Sequence, residues 1–188
     1  MTTLDRQSTL PSAGDVLAYW RGLGPERWFV KDAAVDSDIR DKFQNLHAAA
    51  LKGLLGHWED DAPGALAQVI VLDQFSRNIF RDSAAAFAAD PLARAAAGRA
   101  IERGFDRQTA KVERPFFYLP YMHSENLADQ ERCVELCRAA GDEDTLKYAE
   151  LHADIIRRFG RFPHRNAVLG RGTTPEEQAF LDGGGFAG

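Results

Sequence analysis

The sequence predicts an all-α fold, and three observations carry the prediction. Apolar residues recur with the helical period and seldom alternate as a half-buried strand requires. Helix-opening residues and stop glycines punctuate the chain in the right order. The connections between the segments are short, which suits antiparallel helix hairpins stacked in a single domain.

Ser12 and Asp15 form an N-cap and its third helical residue, opening a short helix through Trp20 that Gly22, Gly24 and Pro25 end. A loop with Trp28 and Phe29 follows. Asp36 is the expected cap of a long helix whose inner face is Ile39, Phe43, Leu46, Ala50 and Leu54, with Gly56 near its stop and Trp58 just beyond. Pro63 opens a third helix to about Phe80, because the first turn does not need the missing amide proton. Asp90 and Pro91 repeat that signal for an Ala-rich helix ending at Gly104. The aromatic stretch from Glu113 to Glu125 is broken by Pro115 and Pro120 and reads as a short helix or two turns. A helix from Leu127 to Ala140 stops at Gly141. Asp142 or Asp144 then caps a helix whose apolar arc is Tyr148, Leu151, Ile155, Ile156 and Phe159, ended by Gly160. Thr173 or Thr174 starts a last short helix with Pro175, Glu176 and Glu177 behind it. Residues 1–11 read as a loose start and 182–188 as a glycine-rich tail of one domain spanning 1–188.

The chain has 188 residues, 45% hydrophobic and 27% charged, which fits one compact domain of roughly 100 to 200 residues and excludes a disordered chain. A net charge of −5 argues against a nucleic-acid partner, since phosphate backbones need a basic surface. The two cysteines, Cys133 and Cys137, share one helical face and read as reduced core thiols. No segment approaches the roughly 20 apolar residues that span a bilayer. Residues 1–11 also lack a basic start followed by an apolar run, so a cytoplasmic protein with no membrane partner is expected. Phosphate-loop, GxGxxG, Gly-x-Ser-x-Gly and zinc-helix patterns are all missing, and no cofactor is implied.

The third helix is the most informative element. Its first half is apolar on almost every side, yet Asp73, Arg77 and Arg81 then project along one strip with Gln74 and Asn78 beside them. That arc fits a helix end emerging into solvent, with Asp73 paired to Arg77; it also fits a pocket wall presenting planar donor forks to an anion. His152 sits in the middle of a core-facing stripe, where an imidazole needs a partner whether structural or functional. The loop Pro120 to Asn126 places His123 two residues from Glu125, a pattern that serves an acid/base pair, metal ligands or a helix cap. The loop Phe159 to Asn166 packs Arg161, His164, Arg165 and Asn166 among aromatic residues, forming with Arg157, Arg158 and Arg171 a basic tract in an acidic protein. His47 and His57, on and near the end of the second helix, have weaker claims.

These segments carry a resemblance. Leu72 to Arg81, Leu119 to Glu125, and Phe159 to Asn166 with Leu169, Gly170 and Arg171 are long, specific strings. Together with Tyr19, Trp20, Trp28, Phe29 and Thr174 to Glu177 they make the chain look like a bacterial family known only as domain of unknown function 924. The resemblance implies a tetratricopeptide-like helical fold and a set of polar signature positions, and it implies no reaction. The family's usual proline in the first string is Ser76 here, which implies a relaxed bend in the central helix.

The residues then give the functional expectation. A pocket lined by Asp73, Gln74, Arg77, Asn78, Arg81, Tyr121, Arg161, Arg165 and Asn166 binds a small carboxylate- or phosphate-bearing ligand, with His123, Glu125, His152 and His164 as acid/base candidates. The alternative is a non-enzymatic tetratricopeptide-like scaffold that binds a peptide or protein through a groove. A third reading makes His123, Glu125, His152 and His164 ligands of zinc or manganese, against which the neighbouring arginines would repel a cation.

Overall fold

A computed structural model of the chain describes residues 10–186. The expectation of a loose start therefore falls, for residues 1–9, outside the described residues, as do the last two positions of the tail. Among the described residues the regular structure is helical, with no strand.

Helix α1 (Ala13–Leu23) opens with a reciprocal capping box between Ser12 and Asp15 and ends at Gly24, whose φ of +81° needs a residue without a Cβ. Where a loop was expected, Pro25 opens the one-turn helix α2 (Pro25–Trp28). The turn lays the Trp28 indole flat on Trp20, centroids 6.0 Å apart, and Trp28 Nε1 donates to the Trp20 carbonyl at 2.7 Å. Trp28 thus closes the core, while Phe29 stays exposed.

Helix α3 (Ala33–Leu51) is capped by Asp32 rather than Asp36, because Asp32 accepts the Ala34 and Val35 amides. Asp36 lies one turn inside and is buried. Ile39, Phe43, Leu46 and Ala50 form the inner face as expected, but Leu54 is exposed. The helix has already stopped at Leu51, and the chain reverses at Gly53 with φ +73° rather than at Gly56. A 3-10 turn, Gly56–Asp60, then buries Trp58.

The central helix α4 (Ala62–Ile70) starts from Asp61, which accepts the Gly64 amide, with Pro63 in the first turn. It continues through a π-helical turn at Val71–Phe75 into α5 (Ser76–Ile79). The helix does not run regularly to Phe80 as expected, because the π turn takes in an extra residue and changes the phase of everything after it. Ser76 Oγ donates to the Leu72 carbonyl at 2.6 Å and lies 2.6 Å from His47 Nε2. The hydroxyl has a single proton, so His47 Nε2–H is the donor of that second bond.

Helix α6 (Asp90–Glu102) lays Ala93, Ala96, Ala97 and Ala100 toward the centre, and these small residues let it pack close to α4. After the short helix α7 (Phe105–Gln108), the aromatic stretch resolves into a 3-10 turn, Arg114–Phe117, and the one-turn helix α8 (Leu119–Met122). Helices α9 (Leu127–Ala140) and α10 (Glu143–Phe159) form a hairpin joined by Gly141 and Asp142, the latter capping α10. The buried face of α10 is Ala149, His152, Ala153, Ile155 and Ile156. Tyr148 and Leu151, expected in that arc, are exposed, because the residues that face the neighbours of α10 centre on Ala149 and Ala153. Helix α11 (Pro175–Asp182) starts with a Thr174–Glu177 capping box.

One apolar core surrounds α4, and Ile155, Ile156 and Phe162 form a smaller cluster with Phe159, Phe180 and Phe186. Cys133 and Cys137 are buried free thiols. Among the described residues no helix is long and apolar enough to cross a membrane.

Candidate functional site

The polar residues of the central helix meet three other segments in one cluster. Asp73, in the π turn, is only 1% exposed and receives His123 Nδ1, at the end of α8, at 2.9 Å. Gln74 Nε2 donates to the other carboxylate oxygen at 2.6 Å. Arg77 Nη1 lies 3.2 Å from Asp73 Oδ1, and its Nη2 lies 3.2 Å from Asp90 Oδ1 at the start of α6. Arg165 reaches in from the 3-10 turn Pro163–Arg165, donating to the His123 carbonyl at 3.0 Å. Its guanidinium carbon lies 4.5 Å from the ring centroids of both Phe87 and Phe162.

The charges within this cluster are set by burial and by one another. Burial alone would raise the Asp73 carboxyl, but Arg77 and His123 outweigh it and hold the group well below the usual carboxylate range. Burial pushes His123 down and Arg77 adds to that, against the opposing pull of Asp73. A carboxylate only accepts, so the neutral imidazole carries its proton on Nδ1 and keeps a lone pair on Nε2. Burial, then Arg77, lowers Arg165 to about 10, which leaves it cationic at neutral pH.

The other expected site residues lie around this cluster in separate groups. Asn78 and Arg81 both donate to Asp36. Helix α5 ends at Ile79, so Arg81 lies beyond it and does not continue the strip of Asp73 and Arg77. Glu125 receives the Phe162 amide at 2.8 Å and pairs with both terminal nitrogens of Arg171. Arg161 pairs with Glu177, and Asn166 donates to Glu177 and accepts from Arg171. Glu125, Arg161 and Asn166 thereby lock the segment bearing Arg165 against α8 and α11. His152 Nδ1 meets the Tyr148 carbonyl at 2.7 Å, and His152 and His164 both pack edgewise or tilted against Phe162 and Phe186. Burial brings each of these two imidazoles down to about 4. Tyr121 is buried, its hydroxyl end against Gly98 of α6.

Asp90 is the member of the cluster that the sequence reading missed. Its position before Pro91 explained it fully as a helix start, and no local signal announced its second role beside Arg77. Among the described residues no three His, Cys, Asp or Glu side chains gather to hold a metal ion, so His123, Glu125, His152 and His164 do not form such a group.

No curated protein matches the chain. Among solved structures it is similar to "Structure of Protein of Unknown Function ATU0120 from Agrobacterium tumefaciens", with 46% identity over 91% of this chain and 97% of that one and a TM-score of 0.88. The family described as "Bacterial protein of unknown function (DUF924)" matches residues 16–185. Neither description names an activity. The chain belongs to the bacterial DUF924 family.

Proposed function

We propose that the cluster of Asp73, Arg77, His123 and Arg165 binds a small carboxylate- or phosphate-bearing ligand and that His123 is its acid/base group. The observation behind this reading is the neutral imidazole held by a buried carboxylate that also pairs with Arg77, with Arg165 donating to the carbonyl of the same histidine. His123 Nε2 has no hydrogen-bond partner among the described residues, and the His123 and Arg77 side chains are 17% and 19% exposed, so the cluster reaches the surface. Guanidinium forks suit planar anions, and an imidazole near its neutral form can accept a proton from a ligand held beside it. Glu125, Arg161 and Asn166 are positioning residues in this reading, holding the loop that carries Arg165. His152 packs against Phe162 of the same loop, which itself contains His164.

The test is thermal melting and calorimetric titration with acetate, citrate and inorganic phosphate at fixed ionic strength. Wild type is expected to gain stability and to bind at least one of them, and Arg77→Ala to lose that response. A protein that no anion stabilises or binds, in wild type as in Arg77→Ala, refutes the reading.

A second reading, a scaffold for a peptide partner, is favoured by an open surface depression of about 490 Å³ lined by Tyr19, Leu23, Arg27, Val35 and Asp38. We read the α9–α10 hairpin as tetratricopeptide-like stacking and the chain as cytoplasmic. Binding of a random peptide library to wild type, lost in Tyr19→Ala, would support the scaffold. No binding would count against it.

A further inference from the structure

We infer that the ligand of this cluster is a small monocarboxylate, seated on the Nε/Nη2 edge of Arg165. The inference rests on the anion-binding reading above and goes on to name the anion. The Nε/Nη2 edge of arginine is the planar fork that takes a carboxylate through two parallel hydrogen bonds. In this chain the protein itself fills that edge repeatedly. Arg21 closes it on Glu113, Arg81 on Asp36, Arg99 on Glu59, Arg161 on Glu177, and Arg40 on the Ile79 carbonyl.

Arg165 differs from all of these. It is 7% exposed, its Nε is buried with no acceptor, and its Nη2 makes no hydrogen bond among the described residues. Buried polar groups are almost always hydrogen-bonded, so such a donor points to a partner outside the polypeptide. Among the described residues, His164 Nδ1, on the residue next to Arg165, is a second buried side-chain polar atom that lacks a hydrogen bond. Phe87 and Phe162 each lie with the ring centroid 4.5 Å from the Arg165 guanidinium carbon, and these apolar rings offer no acceptor to its N–H groups.

Charge selects a monoanion over a dianion, and the planar fork of Arg165 then favours a carboxylate. Arg77 and Arg165 are balanced by Asp73 and Asp90, with His123 neutral. A bound monoanion takes the cluster to one negative charge, and a proton on His123, which faces Arg77, Asp73 and Asp90, returns it to zero. A phosphate dianion would leave an excess negative charge beside two carboxylates even after that proton is taken up. Because Arg165 Nε is closed off from solvent, binding includes a side-chain movement. Phe87, half-buried over Arg165 and 5.8 Å from the Arg77 guanidinium carbon, is the ring placed to make it.

The experiment follows the Arg165 Nε–Hε cross-peak in ¹⁵N-labelled protein, assigned by its loss in Arg165→Lys. The protein is titrated with acetate, with benzoate and separately with inorganic phosphate at constant ionic strength. A carboxylate is expected to move that peak saturably, and Arg165→Lys, which keeps the charge and loses the fork, to weaken binding by about tenfold or more. Phosphate binding at the same peak as tightly as either carboxylate overturns the monocarboxylate assignment and leaves the anion reading standing. A peak that none of the three moves, with no binding by calorimetry, overturns both and returns the Arg165 donor to a buried structural water. If Arg165→Lys does not fold, the wild-type titration, with the peak assigned by through-bond experiments, decides alone.

Discussion

Asp73→Asn removes one charge from the centre of the cluster and keeps the shape of the side chain. In wild type the carboxylate is 1% exposed, and its oxygens meet His123 Nδ1 at 2.9 Å, Arg77 Nη1 at 3.2 Å and Gln74 Nε2 at 2.6 Å. Asparagine offers one acceptor where these groups need two, so an N–H of His123 or Gln74 is set against another N–H. Arg77 loses one of its two carboxylates. Removing one member of a buried pair costs about 3–5 kcal/mol, and because Arg77 keeps Asp90 at 3.2 Å the lower end applies, about 3 kcal/mol. For a chain of this length about 1 kcal/mol moves Tm by about 2–4 °C, so a fall of about 6–12 °C is expected. The pH dependence has a definite sign. The folded-state value of Asp73 is depressed below its ordinary 3.8, so its contribution is fully present above pH 3.8 and is lost as pH falls toward the folded value. The gap between wild type and Asp73→Asn is therefore wide at neutral pH and narrows in strong acid. Urea denaturation across pH measures the gap, and the ¹⁵N shifts of the His123 ring report the loss of its Nδ1 acceptor. A variant within about 1 kcal/mol of wild type at neutral pH, with unchanged His123 shifts, would refute the claim that an ionised Asp73 orients this imidazole.

Three further outcomes are expected. Stability should fall as pH drops from 6.5 toward 4, because the folded chain holds His152 and His164 neutral down to about 4 while the unfolded chain protonates them near 6.5; for His152 alone the loss is about 3 kcal/mol, and urea midpoints of wild type and His152→Leu measure it. Gly64→Ala should destabilise by about 3 kcal/mol or more, since its Cβ would lie 2.2 Å from the Trp58 carbonyl oxygen, whereas Gly98→Ala, whose Cβ would meet only the yielding Tyr121 hydroxyl, should lose about 1–2 kcal/mol by thermal melting. Ser76→Ala should lose about 1–3 kcal/mol in chemical denaturation, because the buried Nε2–H of His47 is left without its acceptor.

Much of the fold is legible locally because helix ends are local chemistry. Ser12 with Asp15, Gly141 and Thr174 with Glu177 satisfy or terminate backbone groups within three or four residues, and each does so where the sequence predicts. Asp32 and Asp36 show the limit of that logic. Both stand before the same apolar stripe, and what sets Asp36 apart is Arg81, 45 residues away, which takes its carboxylate from inside the first turn. The π turn shows another. A projection at 100° per residue has no place for the extra residue, so it extends Asp73 and Arg77 into a strip that Arg81 does not join.

By itself, the sequence determined an all-helical chain, the order of its longer helices, and the three segments rich in arginine, histidine and carboxylate. Those properties depend on hydrogen bonds and side-chain patterns within one or two turns. The tertiary structure decided which of those polar residues meet. Asp73 and His123 are 50 residues apart, Arg165 is 42 from the carbonyl it reaches, and Asp90 joins them from the start of another helix. Each charged group has several possible partners in the sequence, and only the packing of α6, α8 and the Pro163–Arg165 turn around α4 selects among them. That packing also leaves the Nε of Arg165 as a buried donor without an acceptor among the described residues.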